Sequence, residues 1–254
     1  MKYFFYALGL ISLAFFITNL NQTTFANEEG NKTEPIVIAT HEEDITGDGI
    51  KETIELKGLL LSEDSGFFHQ VWVDITSEHD KEWKISYESG YDPTLTFNDL
   101  NHDKVTELIY RSASDDGELN HSHIHTLKNE KVTEIPLPKQ RHVQGNFKDN
   151  FKVEVNISPN TKPNVVSVED RTNDYIQLGI YDEQGDLQKP TSATIEPIAS
   201  VEPQLISKSK GMGLKSYQPI TGASEADELG TIETLWYYEN KEWIILKTEW
   251  IPAK

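Results

Sequence analysis

DITGDGIKE, from Asp44 to Glu52, sets oxygen-bearing side chains at alternate positions, Asp44, Thr46 and Asp48, then places Gly49 and closes on Glu52. The spacing recurs in DLNHDKVTE, with Asp99, Asn101, Asp103 and Glu107. Each copy runs straight into an apolar, β-branched segment, TIELKGLLL (Thr53–Leu61) after the first and LIYRSAS (Leu108–Ser114) after the second. A polar, glycine-bearing turn between such segments is the mark of a β-hairpin, so these stretches decide for β structure.

Working outward, PIVIAT (Pro35–Thr40) reads as the strand before the first loop. FFHQVWVDIT (Phe67–Thr76) and WKISYE (from Trp83) follow as further strands, separated by turns. After the second loop the order repeats, with residues 119–127 (LNHSHIHTL) and VTEIPL as strands. A third copy lies near the C-terminus: GLKSYQPI (Gly213–Ile220), an acidic loop ending at Gly230, then TIETLWYYENKEWIIL to Leu246. Aligning Gly66, Gly117 and Gly230 matches Trp72 with His123 and Trp236. In the third copy LISKSKGMG stands where the carboxylate-rich loop belongs. The units cover about 44–90, 99–138 and 205–250. Such a period predicts an all-β fold of propeller-like or stacked β-blade repeats. Residues 140–200, with NFKVEVNI and YIQLGIYD as alternating segments, read as a β-rich insertion or as a fourth, diverged unit; a β-sandwich could use the same hairpins. No stretch has a capped amphipathic helical pattern.

The loops carry the chemistry of a hard cation. Calcium takes six to eight oxygen ligands at about 2.3–2.6 Å. Side chains at positions one, three and five, a carbonyl at seven and a carboxylate at nine supply them. The first loop offers Asp44, Thr46, Asp48, the carbonyl of Ile50, and Glu52. The second offers Asp99, Asn101, Asp103, the carbonyl of Val105, and Glu107. Gly49 suits a left-handed turn. Lys104 stands there in the second copy, which predicts a less comfortable backbone and a weaker field. The competing reading is that Asp, Asn, Gly and Thr are ordinary turn residues. An EF-hand is disfavoured because β-like segments flank the loop and Tyr110 holds position twelve of the second copy.

With their following strands, DITGDGIKE and DLNHDKVTE resemble the calcium loops of FG-GAP/VCBS-type repeats. The resemblance covers 45–140 well and 205–250 weakly. It implies propeller-like blades in a secreted or surface protein, with structural calcium near ligand-binding or adhesive surfaces. It supports the same five positions in each loop; Thr46, Lys104 and the missing third loop depart from the family pattern.

Twenty-three Lys and Arg against 42 Asp and Glu leave a net charge of −19 in 254 residues. That argues against nucleic acid and anionic membrane surfaces as partners. There is no cysteine, which excludes disulfides, thiolate zinc sites, cysteine nucleophiles and a lipid-modified N-terminal cysteine. Lys2, the apolar run Phe4–Ile17 and the small residues Thr24 and Ala26 read as a signal peptide over 1–26, cleaved after Ala26. Residues 27–35 read as a flexible linker and 36–254 as the β-repeat domain. No later run is long enough to span a membrane.

Two further groups stand out. His121, His123 and His125 share one face of a strand and form an alternative metal site if His142, His69 or the Asp115–Asp116 pair adds a ligand; a solvated polar face is the plainer reading. Trp72, Trp83, Trp236 and Trp243 suit packing or an aromatic platform for sugars. No nucleophile elbow, H-E-x-x-H or phosphate loop is present. The sequence thus predicts a secreted or surface-associated, non-catalytic calcium-binding β protein. Its partner would be a wall polymer, glycan or protein. The alternative is a secreted hydrolase with its site in 140–200 or on the histidine strand.

Overall fold

A computed structural model describes residues 34–115, 120–140 and 142–253. The predicted signal peptide, most of the linker, Asp116 and Gly117 lie outside them. The described residues belong to one compact unit, and its regular structure is nearly all strand, with one short α-helix, as expected for an all-β fold.

Both acidic loops and most of the predicted strands fall into a single eight-stranded sheet. Its strands are β1 (Ile36–Glu43), β2 (Glu52–Leu60), β3 (Phe67–Thr76), β4 (Glu82–Tyr87), β5 (Gly90–Asn98), β6 (Glu107–Ala113), β7 (Asn120–Thr126) and β8 (Thr133–Glu134). The order is β1-β2-β3-β5-β6-β7-β8, with β4 paired to β3. The first two units therefore do not make separate blades. Phe67↔Tyr91 and Phe68↔Gly90 join β3 to β5 and fuse them. β5 has no counterpart in the sequence reading, because Pro93 and the left-handed Asp92 break its pattern at a register shift between Tyr91 and Thr94.

The sheet curls strongly. β1 and β5 are separated by β2 and β3, yet the rings of His41 on β1 and Phe97 on β5 lie 5.0 Å apart. Inside the curl, Ile54, Leu56, Val71, Val73 and Ile75 of the first unit pack with Leu95, Leu108 and Tyr110 of the second. Ile109 and Ile124, on the opposite face, pack with Val201, Leu214 and Trp236 of the third. The middle unit is covered on both sides, which is why Leu108, Ile109 and Tyr110 are consecutively buried in β6.

The third unit keeps the strand order of the first two but has its own sheet. β13 (Ser200–Ser207), β14 (Gly211–Thr221), β15 (Glu228–Glu239) and β16 (Glu242–Pro252) form it with the short β12 (Thr194–Ile195). β14 is the hub, pairing β12, β13 and β15, and β16 is at the edge. A separate three-stranded sheet, β11-β10-β9, is formed by β9 (Gln144–Lys148), β10 (Lys152–Asn156) and β11 (Asn164–Ser167). It shares a core with Ile220, Leu229 and Ile232.

Two expectations are corrected. YIQLGIYD is not a strand: Tyr175–Gln177 end a short helix, α1 (Thr172–Gln177), and Gly179 at φ +65° turns the chain out of it. The glycine alignment of the units is also off by two residues. Trp72 pairs with Lys57, the fifth residue after Glu52, whereas the fifth after Glu107 is Ser112, which pairs with His121. β2 has 9 residues and β6 only 7, so the hairpin tips do not align.

Candidate functional site

The two acidic loops are wired alike. Asp44 accepts the backbone N–H groups of Gly47 at 2.7 Å and Gly49 at 2.9 Å. Asp99 accepts those of Asp103 at 3.2 Å and Lys104 at 3.1 Å. Position five accepts from position seven in both: Ile50 N–H to Asp48 at 2.8 Å, Val105 N–H to Asp103 at 2.9 Å. Asn101 also accepts the Asp103 N–H, at 2.9 Å. These are turns closed by side-chain oxygens on the chain two to five residues on.

Positions four and six take positive φ in both copies. They are Gly47 (+81°) and Gly49 (+90°), then His102 (+63°) and Lys104 (+69°). Lys104 adopts the same left-handed conformation as Gly49, at a cost of about 1–2 kcal/mol for a residue with a Cβ. Position four is glycine only in the first copy, so its left-handed conformation is not marked in the sequence of the second.

The ninth residue is the floor of each loop. Glu52 is 1% exposed and accepts the Ile45 N–H at 3.0 Å and the Thr46 hydroxyl at 3.3 Å. Glu107 is fully buried. It accepts the Leu100 and Asn101 N–H groups at 2.7 and 3.2 Å and the Asn101 side-chain amide at 2.6 Å. Burial pushes the Glu107 carboxyl up to about 7, with Asp103 and Asp99 adding to the rise. Burial raises Glu52 as well, against the pull of its hydrogen bonds.

Thr46, Asp48, Ile50 and Glu52 line a common hollow of about 190 Å³, with Glu78, Glu130 and Lys81 around it. Every oxygen there is a hard donor, as a calcium ion requires. In the second loop Asp103 is also tied to Lys128 at 2.9 Å. Among the described residues, no group of three or more His, Cys, Asp or Glu side chains is gathered to hold a metal ion as it stands; the carboxylates are turned onto their own backbone N–H groups.

The loops also meet. A Cβ on Gly47 would stand 2.6 Å from Val105 Cγ2. On its other side, His102 stacks on Tyr237 at 4.4 Å, and a Cβ on Gly211 would lie 3.4 Å from His102 Nδ1. Gly211 follows the lysine-bearing turn that replaces the acidic loop in the third unit. The three corresponding turns are thus contiguous.

His121, His123 and His125 alternate along β7, and carboxylates and a tyrosine hold the second and third. His123 stands between Glu134 at 2.8 Å and Glu88 at 2.7 Å. His125 is buried, 3.5 Å from the Tyr87 hydroxyl, and burial lowers its pKa. His69, His142 and Asp115 make none of these contacts.

The tryptophans are dispersed. Four of the five indole N–H groups have a protein acceptor: Trp236 on Ser216, Trp243 on Pro136, Trp83 on Glu130 and Trp72 on Asp74. Only Trp236 is deep in a core.

One cleft has no sequence motif. A cavity of about 810 Å³ is lined by Arg171, Tyr175, Leu178, Ser224, Asp227 and Ile251, among others. Arg171 and the Tyr175 hydroxyl both reach Asp227, which also accepts the Ala223 N–H at 2.8 Å. Asp227 joins α1 to the β14–β15 turn. Its partners lie far apart in sequence, so no spacing announces them.

Residues 141–251 match the family model described as the YybI C-terminal domain. The chain is 20% identical over 211 residues to the "Uncharacterized protein YybI" of Bacillus subtilis (strain 168), covering 78% of each chain. No solved structure matches. The matched family region begins after both acidic loops.

Proposed function

We propose that the chain is a secreted or surface-associated, non-catalytic β protein whose acidic loops bind calcium structurally, supporting a binding role towards a wall polymer, glycan or protein. The observation that carries the reading is the convergence of Thr46, Asp48, Ile50 and Glu52 on one hollow. An ionised carboxylate offers about four lone-pair sites, so an oxygen that accepts an N–H can still face a cation. The common wiring of the second loop extends the reading to Asp99, Asn101, Asp103, Val105 and Glu107. The N-terminal apolar run and the strongly acidic composition support an extracellular setting. In this reading calcium stiffens the turns where the loops of the repeated units touch.

Calorimetric titration of calcium into the chelator-treated chain from residue 27 on, which holds every described strand, tests the reading. Two binding events are expected, and Asp48→Ala should abolish one. Absence of binding in the unmodified chain overturns it.

A further inference from the structure

The cleft of about 810 Å³ has two walls, and each carries the same pair of groups. On one wall, Asp174 of α1 and Leu178 at its C-cap are four residues apart and share a helical face. On the other, Ile251 of β16 stands directly opposite Thr231 of β15, and Glu228 accepts the Thr231 hydroxyl at 3.3 Å. All five residues line the cleft. Leu178 is 55% exposed and Ile251 44%. Each wall thus shows solvent one large apolar side chain and one carboxylate.

The walls are tied together from within. Arg171 and the Tyr175 hydroxyl reach Asp227 from the helix side, and Asp227 accepts the Ala223 N–H of the β14–β15 turn at 2.8 Å. The same network neutralises the cation of the cleft. Arg171 donates to Asp227 and, at 2.9 Å, to the Glu228 carbonyl. Among the described residues, Arg171 is the only cationic group lining the cleft, and it pairs with Asp170 and Asp227. Asp174 and Glu228 have no ion-pair partner among them.

We propose that this cleft binds a basic peptide segment. A lysine or arginine side chain of the peptide sits between Asp174 and Glu228, and an aliphatic one packs on Leu178 and Ile251. Charge excludes an anionic ligand, because it would meet two unpaired carboxylates and an arginine already neutralised. The apolar half of each wall disfavours a small diamine, which would leave Leu178 and Ile251 in water. The volume is that of a ligand pocket, suited to a few side chains and not to a folded domain. The site shares no residue with the acidic loops, so it gives the proposed binding role a place without depending on calcium.

The test is fluorescence anisotropy of a dye-labelled pentapeptide with lysines on both sides of a central leucine. It is titrated, in the presence of chelator, with the chain from residue 27 on. Saturable binding is expected, and the counterpart peptide with glutamates for lysines should not bind. Asp174→Lys/Glu228→Lys should weaken binding by about tenfold or more. Leu178→Gln, which leaves the charge alone, should weaken it by about threefold. Glu63→Lys/Asp64→Lys makes the same change of charge in the exposed β2–β3 turn and should alter affinity by less than about twofold. Circular dichroism confirms folding of each variant. Absence of binding overturns the proposal. Equal losses in the two paired variants also overturn it, since the peptide would then feel only the net charge of −19. Displacement of the peptide by an equimolar amount of cadaverine overturns the peptide assignment and leaves a site for small amines. With chelator present, none of these results bears on calcium in the loops.

Discussion

A Cβ placed on Gly47 would stand 2.6 Å from Cγ2 of Val105, so the first acidic loop rests directly on the second. Gly47 is position four of one loop and Val105 position seven of the other. The contact exists because the sheet curls until hairpins far apart in strand order meet. A change of shape in either loop is felt by its neighbour.

Gly47→Ala should therefore be far costlier than Gly49→Ala. At position 47 the added methyl meets both a left-handed backbone and Val105, together about 2–5 kcal/mol. Gly49 has nothing within 4 Å of its Cβ position, so Gly49→Ala should lose only the backbone part, about 1–2 kcal/mol. Urea unfolding of both variants measures the difference. In Gly47→Ala/Val105→Ala the loss should be smaller than the sum of the single changes by about 1 kcal/mol or more.

Lys104→Gly should stabilise the protein. Lys104 sits at φ +69°, and glycine takes that conformation without a Cβ penalty, against a gain in unfolded-chain entropy. The net expected gain is about 0.5–1 kcal/mol. It is read from the denaturation midpoint at constant slope. A loss would show that the lysine side chain has a role the backbone geometry does not reveal.

Glu107 is predicted to act as a brace whether or not calcium is present. Glu107→Ala leaves the buried Leu100 N–H without its acceptor and should cost about 2–4 kcal/mol. Glu107→Gln keeps an acceptor oxygen and should cost clearly less. Equal losses in equilibrium unfolding would show that both carboxylate oxygens must accept, since glutamine keeps the side chain's volume.

Asp74 supplies the acid-side dependence. Burial works to raise its pKa, but the Trp72 indole N–H, Lys57 and Lys84 outweigh it and hold the carboxyl below its ordinary value. A depressed folded-state pKa gives stability that is complete above the unfolded value and fades as pH falls through the folded one. Asp74→Asn should cost about 0.5–1 kcal/mol at neutral pH, since the pair with Lys57 is partly exposed. The gap should close in strong acid. Unfolding curves across that range test this, and a gap that persists points to lost packing around Trp72.

Much of the β architecture is legible in residue pattern. Phe67–Thr76 forms β3 as read, and the strands on both sides of the first loop and after the second fall where alternation and turn residues put them. β5 was hidden by Asp92 and Pro93, because a bulge tolerates residues that break a regular strand. YIQLGIYD alternates like a strand, but the Asp227 network across more than forty residues of chain anchors it as a helix end. The loop wiring was half legible. Positions one, five and nine announce themselves as carboxylates. The left-handed conformation of His102 is visible only by analogy with Gly47, and the burial of Glu107 depends on the third unit closing over the second.

Thermal unfolding of the chain from residue 27 on, with excess calcium and with chelator, tests the central claim most directly. The account predicts a melting temperature that rises with calcium concentration, since an ion bound only by the folded state stabilises it. Asp48→Ala should remove more of that rise than Asp103→Ala, because Asp103 is already paired with Lys128. An identical melting temperature with calcium and with chelator would contradict the account and leave the two loops as turns held by their own hydrogen bonds.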